Sequence, residues 1–150
     1  MNKKIIKSII EWIVYLIIFI AIVYGTPKLL VIILQTDYPI ASITSSSMWP
    51  ALKEGDIIFI KGGSVKTEVR VGDIVVYRNG RGFTIHRVIE MSENTLTTKG
   101  DANNVDDPPV KYDQLIGKTV NFRGRPVRIP WLGRLSRAFL KNDSQAAGSG

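Results

Sequence analysis

The sequence predicts a mostly β protein: a small antiparallel β domain behind one N-terminal transmembrane helix, followed by a short C-terminal amphipathic helix. Three observations predict this. Sixteen uncharged residues, Trp12 to Pro27, run unbroken between Glu11 and Lys28. Beyond Asp37 the pattern changes to short β-branched runs separated by turn residues, and Trp131–Lys141 returns to a helical period. The 150 residues suffice for one globular unit. With no cysteine, disulfides, thiol nucleophiles and thiolate metal sites are excluded.

The apolar run continues on both sides, through Ile5, Ile6, Ile9 and Ile10 and through Leu29–Leu34. Sixteen helical residues rise about 24 Å, and one or two flanking turns complete the ~30 Å of a bilayer core. The run is too long for a secretory h-region and no Ala-x-Ala cleavage site follows it, so it is expected to remain as an anchor. Lys3, Lys4 and Lys7 precede it and Lys28 alone follows closely, which puts the N-terminus in the cytoplasm. Trp12, Tyr15 and Tyr24 suit interface positions, and Pro27, lacking a backbone donor, kinks or ends the helix.

The runs Ile40–Thr44, Asp56–Lys61, Asp73–Arg78, Thr84–Met91, Thr95–Lys99 and Lys118–Phe122 alternate with Gly, Asn, Lys and Asp turns, the pattern of strands. The expected organisation is a cytoplasmic flank and anchor over 1–36, an extracytoplasmic β domain over 37–130, an amphipathic helix over 131–141, and a flexible tail or expression scar over 142–150. In Trp131–Lys141, Trp131, Leu132, Leu135 and Phe139 share one helical face and Arg134, Arg137 and Lys141 the other. Such a helix lies in the bilayer interface or packs on the β domain.

The +7 net charge is unevenly placed. Residues 1–36 carry four lysines against Glu11, residues 37–117 nine basic against eleven acidic groups, and residues 118–141 seven basic groups and no acid. The middle of the chain is therefore slightly acidic. Nucleic acid is not expected as a partner, because its readers stripe basic residues over the folded domain.

Three places can carry chemistry. Ser45-Ser46-Ser47-Met48-Trp49-Pro50 is a run of hydroxyls stiffened by proline, and a serine there becomes nucleophilic only with a base and an oxyanion donor. His86, the only histidine, lies in the strand Thr84–Ile89, so any imidazole-dependent step must use it. Lys99–Asp107 is a turn-rich segment with carboxylates at Asp101, Asp106 and Asp107. A calcium loop fails here, since its sixth position is Asp106 where Gly is needed and its twelfth is Tyr112 where Glu is needed. One His and no Cys exclude a structural zinc site, so no metal and no cofactor is expected. Ser, His and Asp together satisfy the roles of a hydrolytic triad.

Ser45-x-Ser47-Met48-x-Pro50, Gly72–Tyr77, Ile85-His86-Arg87-Val88, Thr98–Asn103 with Asp106-Asp107, and Arg128–Gly133 together resemble type I signal peptidases. The resemblance runs from the anchor to about residue 133. Histidine at position 86, where the common bacterial branch has lysine, is similar to the endoplasmic-reticulum and archaeal branch. The resemblance implies Ser47 as nucleophile, Ser45 and the Ser47 N–H as oxyanion hole, and His86 as general base. Asp107 matches the position usually assigned to the catalytic aspartate and Asp101 the other important one, with Asp106 adding to the choice.

The function so implied is a membrane-anchored serine endopeptidase that removes signal peptides after small residues through an acyl-enzyme. Its substrates would be signal-peptide-bearing preproteins bound as an added strand, and its other partners the lipid bilayer and a secretion translocase. It would sit in the cell membrane or endoplasmic-reticulum membrane with the β domain on the extracytoplasmic side. Two other readings stand beside it: a Ser-Lys self-processing protease using Lys99, and a catalytically silent membrane-anchored β scaffold. Trp49 at the variable position and the lack of a second span after the domain are the departures, and suggest a minimal enzyme.

Overall fold

A computed structural model describes residues 3–63, 68–80 and 82–133. Helix α1 spans Lys3–Leu34, 32 residues, or about 48 Å at 1.5 Å per residue. It is long and apolar enough to cross a membrane. Its central apolar side chains point outward all round, with Trp12, Tyr15 and Tyr24 each more than 60% exposed, so among the described residues that stretch finds no partner surface, which suits a lipid solvent. Pro27 lies inside α1 and does not end it. Only the one donor is lost, and the flanking turns carry the helix on to Leu34.

After a five-residue connection come β1 (Ile40–Ser42), β2 (Ile57–Lys61), β3 (Ile74–Asn79), β4 (Gly82–Met91), β5 (Thr95–Lys99), β6 (Val110–Lys111), β7 (Leu115–Thr119), β8 (Asn121–Phe122), β9 (Arg125–Pro126) and β10 (Arg128–Ile129). The main sheet runs β1-β2-β7-β3-β4-β5-β6 with β10 also on β2, and β8 and β9 form a separate hairpin. Every pairing is antiparallel. The chain is thus mostly antiparallel β with one N-terminal helix, the class its sequence predicts. The amphipathic segment lies outside the described residues beyond Gly133, as does the tail.

β3 sits mid-sheet, and Ile74, Val75, Val76 and Tyr77 are all buried. Successive side chains of a strand point to opposite faces. Ile74 and Val76 accordingly join a core with Ile43, Met48, Leu52, Ile58 and Ile60. Val75 and Tyr77 join a second core with Val69, Val88, Leu96 and Val110. The expected Lys118–Phe122 strand is divided: β7 begins earlier, at Leu115, and β8 pairs with β9 instead of with the main sheet. Gly117 has no room for a side chain against the Lys61 backbone. β6, β9 and β10 are two residues each, too short to leave a period in the sequence.

β10 is tied to the turn before β2 by a buried charge. Asp56 is 1% exposed, and its Oδ2 accepts from the Lys53 N–H (2.9 Å) and the Arg128 guanidinium (2.5 Å). Removing the cation leaves a buried carboxylate short of a partner. Arg128→Met should therefore lower unfolding stability by about 1–3 kcal/mol. Chemical denaturation of the detergent-solubilised chain checks this, and the double variant with Asp56→Asn should recover part of the loss.

Candidate active site

Strand register brings the site together. His86 lies opposite Val75 and Val88 opposite Thr98. By alternation Val75, Tyr77, His86, Val88 and Thr98 share one face of the sheet. Ile85 and Arg87, the neighbours of His86, project from the other. Asp107 reaches the His86 face at the end of the loop after β5, fixed by its N–H donating to the Thr98 carbonyl (2.8 Å).

The His86 imidazole is 8% exposed. Its Nδ1 lies 2.5 Å from Asp107 Oδ2 and its Nε2 3.2 Å from Ser47 Oγ. An ionised carboxylate only accepts, so Nδ1 carries the proton and Nε2 presents its lone pair to the serine hydroxyl. Ser45 Oγ lies 3.1 Å from Ser47 Oγ. A hydroxyl, an imidazole and a carboxylate therefore stand in hydrogen-bonded series, the arrangement that lets a serine lose its proton as it attacks.

Two further hydroxyls hold the carboxylate. Thr98 Oγ1 donates to Asp107 Oδ2 at 2.7 Å and the Tyr77 phenol at 3.2 Å, and the two oxygens are 3.3 Å apart. Thr98 is fully buried and Tyr77 nearly so. Burial, and after it the Asp107 charge, push the Tyr77 phenol above its ordinary value of 10.0, so it stays a donor at neutral pH. Sequence reasoning assigned neither residue a role. The available signal was a polar residue at an inward position of an apolar strand.

The other two aspartates are elsewhere. Asp101 takes a two-point grip from Arg87, Nε to Oδ1 at 2.8 Å and Nη2 to Oδ2 at 2.7 Å, on the face away from His86. This pair raises the Arg87 guanidinium further above its already high value. Asp106 pairs with Lys99 Nζ at 3.0 Å. Of the three carboxylates, the structure brings only Asp107 to the imidazole, and it places Lys99 on Asp106.

The loop bearing Asp101–Asp107 also braces the serine. The Ala102 N–H donates to the Ser47 carbonyl (2.8 Å), and a Cβ on Gly100 would come 2.8 Å from the same oxygen. Met48 anchors the turn in the core at 1% exposed. Beside Ser47 and His86 opens a cleft of about 560 Å³ between β1 and the first half of β4. Among the described residues β1 is paired on one edge only, to β2, and β5 pairs with β4 only from Arg87 onward. Two unpaired strand edges thus border the cleft.

An antiparallel sheet that delivers serine, histidine and aspartate to one cleft defines a serine-peptidase type of architecture. The chain belongs to the Peptidase S24-like family, whose model matches residues 25–124. It is similar to the signal peptidase complex catalytic subunit SEC11 of Scheffersomyces stipitis, 45% identical over 86 residues, which are 53% of this chain and 51% of that protein. SEC11 of Candida tropicalis is 42% identical over 86 residues, with the same coverage. SEC11 of Neurospora crassa is 39% identical over 87 residues, 54% of this chain and 50% of that protein. The chain spans about half the length of these relatives.

Two outcomes test the carboxylate clamp. Because His86 is the only histidine, one low-field proton resonance should report its Nδ1–H. In Thr98→Val that signal should move upfield or broaden, and in Thr98→Ser it should persist. At alkaline pH the sign follows from the raised Tyr77 value: its neutral form supports the fold below pH 10 and that support is lost as pH rises past it. Unfolding midpoints should then fall less steeply above pH 10 in Tyr77→Phe than in the parent chain.

Proposed function

We propose that this protein is a membrane-anchored signal peptidase of the endoplasmic-reticulum and archaeal branch, a serine endopeptidase that cuts signal peptides from preproteins. The observation that carries the reading is the series Ser47–His86–Asp107 at the wall of a cleft bordered by unpaired strand edges. Family membership and the SEC11 relatives support it.

In this reading Ser47 Oγ attacks the carbonyl of the residue before the cut while His86 Nε2 takes its proton. The same proton passes to the leaving amine as the C–N bond breaks, giving an acyl-enzyme and the new N-terminus. Water, deprotonated by His86, then attacks the ester, and Ser47 recovers its proton. Asp107 holds the tautomer and steadies the imidazolium. Ser45 and the Ser47 N–H receive the developing oxyanion. Asp101 acts at one remove, holding the Arg87 end of β4. No cofactor or metal enters the scheme.

The peptide binds as an added strand between β1 and β4, so main-chain hydrogen bonds give affinity and shallow pockets read alternate side chains. α1 anchors the enzyme with its lysine-flanked N-terminus in the cytoplasm and the β domain, residues 37–130, outside. That places catalysis where preproteins emerge from a translocase, in the cell or endoplasmic-reticulum membrane.

The full chain in detergent should cut a preprotein after a small residue, with the site read by mass spectrometry. Ser47→Ala and His86→Ala should each lower kcat by roughly 10⁴-fold or more. Equal inactivity of the parent and Ser47→Ala on a broad precursor panel would favour a scaffold, and loss confined to Lys99→Ala would overturn the histidine scheme. Activity should fall toward acid pH, because a protonated imidazole cannot accept the serine proton. A rate independent of pH would count against His86 as base.

A further inference from the structure

The cleft beside Ser47 has a built far end. Tyr38 and Phe83 both line it, and their rings meet edge to face with centroids 4.9 Å apart. Tyr38 precedes β1 and Phe83 lies near the start of β4, so the pair bridges the two strands that border the cleft. Arg78 backs this pair without lining the cleft itself. Its guanidinium carbon lies 5.6 Å from the Phe83 centroid, and Nη2 reaches the Tyr38 hydroxyl at 3.4 Å.

The wall is held in place although its members are exposed. The Tyr38 N–H donates to Thr36 Oγ1 (3.2 Å), and the Pro39 carbonyl accepts from the Ile60 N–H (3.0 Å). Gly62 donates to the Leu34 carbonyl at 2.8 Å, which pins the connection from α1 against the end of β2. Phe83 is fixed by the β3–β4 register opposite Arg78. Tyr38 is still 41% and Phe83 52% exposed, so a pre-positioned aromatic surface faces the cleft without being consumed by the core.

Its distance from the serine sets which substrate residue meets it. Phe83 is three residues before His86, about 10 Å along an extended strand and on the Ile85 side of β4, and Tyr38 meets it from the β1 side of the cleft. A peptide strand places its first and fifth residues before the cut about 13 Å apart, with side chains on the same face. Its first residue sits at Ser47, so its fifth reaches the wall.

We propose that Tyr38, Phe83 and Arg78 form a distal specificity subsite that takes an apolar side chain at the fifth residue before the cut and disfavours a basic one. This rests on the reading of the cleft as the peptide site of a signal peptidase. The aromatic faces supply the apolar contact. The guanidinium lying on the Phe83 ring already uses that face and repels a second cation.

Binding to the full-length Ser47→Ala chain in detergent tests the subsite apart from cleavage. Labelled signal-peptide probes would carry Leu or Lys at the fifth position and be otherwise identical. Fluorescence anisotropy should give about five- to ten-fold tighter binding for Leu. Adding Phe83→Ala should lower affinity for the Leu probe with little effect on the Lys probe, and adding Arg78→Gln should improve the Lys probe selectively. A Leu-to-Lys ratio near one in the Ser47→Ala chain, or a ratio that neither variant alters, would overturn the subsite. If probes bind with the expected ratio but the Ser47-containing chain leaves them uncut, the subsite stands and the peptidase reading falls.

Discussion

The two-residue alternation of β4 is the constraint on which the site depends. His86 and Arg87 are sequence neighbours, so a strand must send them to opposite faces. Each then meets its own carboxylate, His86 with Asp107 at 2.5 Å and Arg87 with Asp101 at 2.7 Å. Aspartates six residues apart are thereby given different tasks by one strand. Asp107 faces the imidazole and two hydroxyl donors, whereas Asp101 faces a cation. A one-residue slip of β4 would exchange the faces and put a guanidinium where the base belongs.

The segment between β5 and β6 makes a second coupling. At one end its Ala102 N–H holds the Ser47 carbonyl, and at the other Asp107 takes the imidazole. The nucleophile turn and the carboxylate are thus positioned by a single stretch of chain, which ties their separation to its internal geometry. Gly100 permits the close approach, because any side chain there would meet the Ser47 carbonyl and Asn103. The Asn103 N–H closes the turn on the Gly100 carbonyl at 2.9 Å. In a domain this small, such double use leaves little of the loop without a structural task.

The long strands and α1 were legible in the sequence because each is a long enough run of one composition, apolar for α1 and β-branched between turn residues for the strands. Thr84–Met91 is an eight-residue run bounded by turn residues, and β4 covers it with two more at the start. β10 left no such trace. Its place is decided by Arg128 meeting Asp56, seventy-two residues away, a contact no local pattern encodes. The same limit divides the candidate site. His86 stood out by its uniqueness and Ser47, among three serines, by the family resemblance, but the choice among Asp101, Asp106 and Asp107 is set by which face each reaches. Tyr77 and Thr98 were hidden for a related reason. A β-branched or aromatic residue in an apolar strand reads as core until its hydroxyl is seen to reach a carboxylate.

The short connection from α1 to β1 bears on how a cleft of this kind could be fed. Residues 35–39 separate Leu34 from Ile40, so even fully extended they span only about 17 Å. They are not extended freely, since Gly62 holds the Leu34 carbonyl and Gln35 packs over Gly62 and Gly63. A bilayer around α1 would therefore keep the Tyr38 end of the cleft within a few residues of its surface, through the backbone itself. This orientation does not require the basic C-terminal segment. Of the seven cations of residues 118–141, Lys118 and Arg128 are committed to Asp73 and Asp56. Within the slightly acidic middle of the chain, the pairs Arg87–Asp101 and Lys99–Asp106 help shape the loop beside the site, and Asp73 takes Lys118 from the basic stretch that follows.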